Sequence, residues 1–160
     1  MFILVMGVAG SGKTTIGSQL SAAIGWPFYD ADDFHSPDNV RKMAAGVPLT
    51  DEDRRPWLQK LHALISDHAQ RGESGVLACS ALKEAYRTIL TDGVDVTVVY
   101  LKAEPELVRS RLDRRKGHYM PKQLIESQFL ALEEPNEGIV IDADWPSEKA
   151  VATIRSKLGK

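Results

Sequence analysis

The chain has 160 residues, of which 43% are hydrophobic and 26% charged, with a formal net charge of −2 and one cysteine. A domain of this length buries roughly 70% of the surface its unfolded chain exposes, so it needs no disulfide staple, and nothing in its composition suits a disordered or fibrous protein. The near-neutral charge offers no global field for nucleic acid or an anionic membrane, no segment reaches the ~20 apolar residues of a membrane span, and the lone Cys79 suits a reducing, cytoplasmic setting.

Residues 2–6 (FILVM) are a continuous apolar run bounded by glycine, which predicts a central strand covered on both faces. The run carries no basic n-region, so it reads as a strand and not as a leader. From Lys13 the pattern turns helical, with Ile16, Leu20, Ala23 and Ile24 on one face and Gly25 and Pro27 as the stop. Residues 26–29 read as a second strand, and 75–79 and 96–101 as two more, followed by helical stretches at 81–90 and 104–115. A last short strand is expected at 139–141, and 147–158 closes the chain as an amphipathic helix with Ser147 available as N-cap. Strands alternating with helices predict an α/β three-layer sandwich, in which helices cover both faces of a parallel sheet of five strands. Two stretches of this single domain stand outside the repeat: 33–72, expected to be a substrate-binding insertion, and 115–135, expected to be a lid. Both should lie beyond the carboxyl ends of the strands, where open parallel sheets bind ligands.

The segment GVAGSGKT at 7–14 matches G-x-x-x-x-G-K-[ST] between an apolar strand and an amphipathic helix, the context that gives the motif its meaning. Glycines let backbone N–H groups turn inward onto phosphate oxygens, and the following helix adds the positive end of its dipole. Gly7, Ala9, Gly10, Ser11, Gly12, Lys13, Thr14 and Thr15 are therefore the expected phosphate-binding set for ATP, with Lys13 on the β and γ phosphates and the Thr14 hydroxyl on Mg²⁺. Neither N-K-x-D nor D-x-x-G occurs, which argues against a GTPase, and the length leaves no room for a motor; a small-molecule kinase is the natural reading. Such an enzyme must align a hydroxyl with the γ-phosphoryl group. Asp30 and Asp32, just past the second strand, point the same way if the chain is still extended there. One can then hold the metal's water shell while the other accepts the acceptor proton, and His35 beside them is a candidate substrate contact.

Several segments together are more selective than the phosphate loop: DADDFH at 30–35, DEDRRPWL at 51–58, CSALKEAYR at 79–87, RKGH at 115–118, SQF at 127–129 and LEEP at 132–135. In these the chain resembles the small P-loop gluconate kinases, which are related to shikimate kinases and more distantly to nucleoside monophosphate kinases. The resemblance implies transfer of the ATP γ-phosphoryl group to the 6-hydroxyl of D-gluconate with Mg²⁺ as cofactor, and it is compatible with a homodimer. A polyol carboxylate calls for cations and many hydrogen bonds, for which Arg54, Lys83 and Arg87 are the candidates, the last two four apart on one predicted helix. Arg111 and Arg115, also four apart, are the arginines expected on the phosphates as the lid closes, in preference to Arg114. His118 and Gln128 are further substrate candidates, Trp57 is expected to pack, and 142–146 with Trp145 is the candidate adenine border. The third strand ends without a Walker-B-like aspartate, which leaves the metal to Thr14, the phosphates and Asp30, with Ser80 assisting through water. A kinase for another small acceptor, and a nucleotide-dependent interaction module, are the alternative readings.

Overall fold

A computed structural model describes residues 1–114 and 122–160. Five strands, β1 (Phe2–Met6), β2 (Phe28–Asp30), β3 (Gly75–Ala78), β4 (Val96–Lys102) and β5 (Ile139–Asp142), form one sheet in the order β2-β3-β1-β4-β5, every pair parallel. The helices are α1 (Lys13–Ile24), α2 (Pro37–Ala44), α3 (Asp51–Gln70), α4 (Glu84–Thr91), α5 (Pro105–Arg114), α6 (Lys122–Ala131) and α7 (Ser147–Leu158), with a 3₁₀ turn at Ala31–Phe34.

β1 is central and wholly buried because successive side chains point to opposite faces and both faces are covered. Phe2, Leu4 and Met6 join Leu58, Leu61 and Ile65 of α3 and Leu90 of α4 in one core. Ile3 and Val5 face Ile16 and Leu20 of α1 and Ala150, Val151 and Ile154 of α7 in the other. A third cluster of Val8, Leu82, Val108, Leu112 and Ile125 seats α5 and α6 over the end of β1. Parallel pairing sends all five strands to the same edge, so the loops after β1, β2, β3 and β5 meet there.

Three expected boundaries move, each with consequences for the site. The second strand runs Phe28–Asp30 and not 26–29, so the chain leaves extended geometry at Asp30, and Asp32 lies in the 3₁₀ turn. α4 begins at Glu84, because Ala81 (φ 44) breaks the helical path and leaves Lys83 as the extended N-cap residue (φ −96, ψ 144). Pro146, not Ser147, occupies the N-cap position of α7. Residues 33–72 are filled by the end of the 3₁₀ turn, α2 and α3, and α3 opens on a capping box in which Thr50 and Asp53 satisfy each other's backbone N–H groups.

Candidate active site

The phosphate loop joins β1 directly to α1, with left-handed backbone at Gly10 (φ 79) and at Gly12 (φ 100), the N-cap of α1. Side chains at those positions would be strained, which is why glycine stands there. Lys13 Nζ donates to Val8 O at 3.1 Å, lying back across the loop. Thr14 Oγ1 donates to Asp30 Oδ2 at 3.1 Å, which joins the start of α1 to the end of β2. Arg111, near the end of α5, donates through Nη1 to Gly10 O at 3.2 Å and Ser11 O at 3.1 Å, and through Nη2 to Ala143 O after β5. Its guanidinium thus holds the carbonyl side of the phosphate loop against the strand-five loop.

The acidic turn is built from the other side. Asp30 caps it, accepting from Asp32 N–H at 3.0 Å, so the two carboxylates are neighbours through a capped turn and not through the extended alternation the sequence suggested. Trp57 Nε1 donates to Ala31 O at 2.7 Å, and its ring stacks on His35 with centroids 4.2 Å apart and planes 14° apart. Asn39 Nδ2 donates to Asp53 O at 3.0 Å and reaches His35 Nδ1 at 3.4 Å. Since that nitrogen must then accept, the imidazole proton sits on Nε2, which faces Asp32 Oδ1 at 3.9 Å. Burial holds His35 below the usual histidine pKa, with Asp32 opposing and Arg54 assisting. Partial enclosure raises the Asp32 pKa and Asp30 adds to the rise, while Lys13 and His35 pull it down. Because 85% of the Asp32 side chain remains accessible, solvent screens much of that effect. The result is an ionisable oxygen open to an acceptor, next to the lysine of the phosphate loop.

A polar cluster borders this turn where α3 and α4 begin. Arg54 Nη1 donates to Leu49 O at 2.8 Å and to Tyr86 Oη at 3.2 Å, Tyr86 in turn donates to Asp51 Oδ1, and Lys83 Nζ reaches the same oxygen at 3.3 Å. Both cations sit 5.5 Å from the centroid of the Tyr86 ring.

Three comparisons decide the family. A model of the shikimate kinase family matches residues 9–154. The thermosensitive gluconokinase of Escherichia coli is 45% identical over 133 residues, covering 82% of this chain and 71% of that one. Among solved structures, a sugar kinase from Janibacter sp. superposes with a TM-score of 0.91 at 42% identity over 99% of this chain and 94% of its own. A gluconokinase from Sinorhizobium meliloti does so with 0.86 at 37% identity, over 98% and 90%. The chain belongs to the gluconokinase family, within the shikimate kinase group. It is an ATP-dependent phosphotransferase acting on a hydroxyl group, and its fold is that of the P-loop kinases.

Against this family frame, the structure redistributes the expected site residues. Lys13, Thr14, Asp30, Asp32 and His35 converge at the phosphate loop, and Arg54 and Lys83 lie on the bordering cluster. Arg87 does not join Lys83. It is 7% exposed, and its guanidinium donates to Ala81 O at 2.8 Å, Leu82 O at 3.1 Å and Glu133 O at 2.7 Å. The shared helical face fails because Lys83 precedes the helix. Gln128 reaches the phosphate loop itself, its Oε1 accepting from Ala9 N–H at 2.6 Å. Arg115 and His118 lie outside the described residues. Trp145 lines a depression of about 630 Å³ at the β5 edge with Glu104, Glu106, Asp142 and Asp144, and no phosphate-loop residue lines it. Cys79 is fully buried, and burial pushes its thiol up to about 12, which leaves it inert packing.

Four contributors escaped sequence reasoning: Asn39, Asp51, Tyr86 and Glu133. Glu133 N donates to Leu82 O at 2.8 Å and Glu133 Oε1 accepts from Glu84 N–H at 2.7 Å, which fastens the end of α6 to the start of α4. Only the LEEP string hinted at it, and nothing local states what it binds.

Proposed function

We propose that this protein transfers the γ-phosphoryl group of ATP to the 6-hydroxyl of D-gluconate, giving 6-phospho-D-gluconate and ADP. The observation that carries the reading is the convergence of Lys13, Thr14, Asp30 and Asp32: the donor loop and a solvent-open carboxylate meet at one point, held by the Thr14–Asp30 hydrogen bond. Backbone amides of the loop bind the phosphates and Lys13 turns from Val8 O onto the β and γ groups. Asp32 takes the proton of the acceptor hydroxyl as its oxygen bonds to the γ phosphorus, while the bond from that phosphorus to the bridging oxygen breaks and ADP leaves.

Thr14 and Asp30 fit Mg²⁺. They are adjacent hard oxygen donors, the kind of ligand this ion takes beside its waters and phosphate oxygens. When bound, the ion offsets charge on the β and γ oxygens.

Gluconate's carboxylate is assigned to Arg54 and Lys83, and His35 Nε2–H, held by Trp57 and Asn39, donates to an acceptor hydroxyl. In this reading 33–72 is the substrate-binding insertion and 115–135 the lid, the adenine lies against 142–146, and the setting is cytoplasmic. None of the described helices is long and apolar enough to cross a membrane.

The deciding measurement is coupled ADP release with gluconate, shikimate and related sugar acids, run beside Lys13→Ala and Asp32→Asn. Gluconate should be the preferred acceptor, and each variant should remain folded with turnover lowered at least about 10²-fold. Indifference of the wild type to gluconate defeats the substrate assignment, and full activity in Asp32→Asn removes that residue from the chemistry.

A further inference from the structure

The Val8–Ala9 peptide of the phosphate loop is held from both sides. Lys13 Nζ donates to its carbonyl at 3.1 Å, and its N–H donates to Gln128 Oε1 at 2.6 Å, a partner 119 residues away in sequence. A backbone N–H can only donate, so the amide oxygen of Gln128 must face it. The helix that brings Gln128 there is firmly seated. Ile125, one turn earlier on α6, is buried with Val8, Leu82, Val108 and Leu112, and Phe129 and Leu132 pack against the same cluster. Spacings of three, four and seven put these residues on one stripe facing the loop.

This N–H lies at the end of the loop where the terminal phosphoryl group must arrive, because the cation that serves the β and γ phosphates already rests on the same peptide unit. The oxygen of Gln128 therefore stands where a phosphate oxygen would accept. The two acceptors compete for one donor. A side-chain amide can resolve the conflict as a carboxylate or a hydrocarbon cannot: rotation about χ1 and χ2 draws it back from the N–H, and a turn of its broad, roughly two-fold χ3 torsion then presents Nε2, which donates to that phosphate oxygen.

We infer that Gln128 reads the γ-phosphoryl group: its amide oxygen accepts the Ala9 N–H when no γ-phosphate does, and the amide withdraws and turns over to donate to the γ-phosphate when a triphosphate is bound. Gln128 is thus a positioning residue that separates ATP from ADP and ties α6 to the loaded state, not a contact to the sugar-acid hydroxyls. The inference rests on the assignment of residues 7–14 as the triphosphate site.

Titration calorimetry with the Mg²⁺ complexes of ADP and of a non-hydrolysable β,γ-imido ATP analogue tests it on the wild type, Gln128→Ala and Gln128→Glu. One charge-assisted hydrogen bond corresponds to roughly ten- to 150-fold in affinity. Gln128→Ala should weaken the analogue by about that factor and leave ADP within about threefold. Gln128→Glu, which can only accept and carries like charge, should weaken the analogue further, again with ADP little changed. Retained ADP binding shows that the variants are folded. An unchanged ratio of analogue to ADP affinity in Gln128→Ala, or equal losses for both nucleotides in either variant, overturns the role of Gln128. Failure of the wild type to bind either nucleotide instead removes the kinase reading itself.

Discussion

Arg87→Lys separates a substrate cation from a structural one. A sugar-acid contact at this position should tolerate lysine with a raised KM for gluconate and an unchanged melting temperature. The geometry argues otherwise, since three backbone carbonyls, Ala81 O, Leu82 O and Glu133 O, depend on one buried guanidinium. Burial lowers the pKa of this group, but an arginine stays charged, so each of its bonds is charge-assisted. A lysine ammonium cannot span the two-pronged arrangement and keeps at best part of it. Loss of one or two bonds to a charged donor, each ~1.5–3 kcal/mol, puts the cost near 3 kcal/mol. In a domain of this size that is a fall of roughly 6–12 °C in melting temperature. Differential scanning calorimetry and steady-state kinetics on the same preparation give the answer. A melting temperature within 2 °C of wild type together with a roughly tenfold higher KM for gluconate would refute the reasoning and return Arg87 to the acceptor.

Trp57→Phe removes the indole donor from the buried Ala31 carbonyl and loosens the turn carrying Asp32 and His35; a loss of about 1–3 kcal/mol and a roughly tenfold fall in kcat/KM for gluconate are expected, and unchanged kinetics would detach Trp57 from the site. The raised pKa of Asp32 places the acid limb of the kcat/KM profile above its ordinary value of 3.8, rate increasing with pH as the carboxylate ionises, and Asp32→Asn should lose that limb. The same shift means that the stability Asp32 contributes is greatest below 3.8 and is lost as pH rises through its raised folded-state value, so the melting temperature of wild type should fall slightly against that of Asp32→Asn across this window. Gly138→Ala drives a Cβ into the Val98 carbonyl at a left-handed φ of 109 and should cost at least ~2 kcal/mol by chemical denaturation; a neutral result would show that the entry to β5 can yield.

The phosphate loop was legible because its chemistry is local: seven consecutive peptide units and one helix start make the anion site, and glycine takes the left-handed positions 10 and 12 without the strain a side chain would bring. The sheet was legible for a related reason, since β1 buried on both faces must be a continuous apolar run, and strands alternating with helices admit few parallel arrangements. What the sequence blurred were terminal residues, where a single left-handed Ala81 decides whether Lys83 and Arg87 share a face, and a turn cap decides how Asp32 stands beside Asp30. Long-range polar pairs were out of reach altogether. Gln128 on Ala9 N–H, Glu133 on the start of α4, and Arg111 on the phosphate-loop carbonyls join residues far apart in the chain, and no periodicity or spacing encodes which buried carbonyl or N–H a side chain will satisfy. Residue type and order determined the donor loop and the layered sheet by themselves. Which arginine became structure and which residues stayed available to substrate was decided only when packing fixed the backbone groups left needing partners.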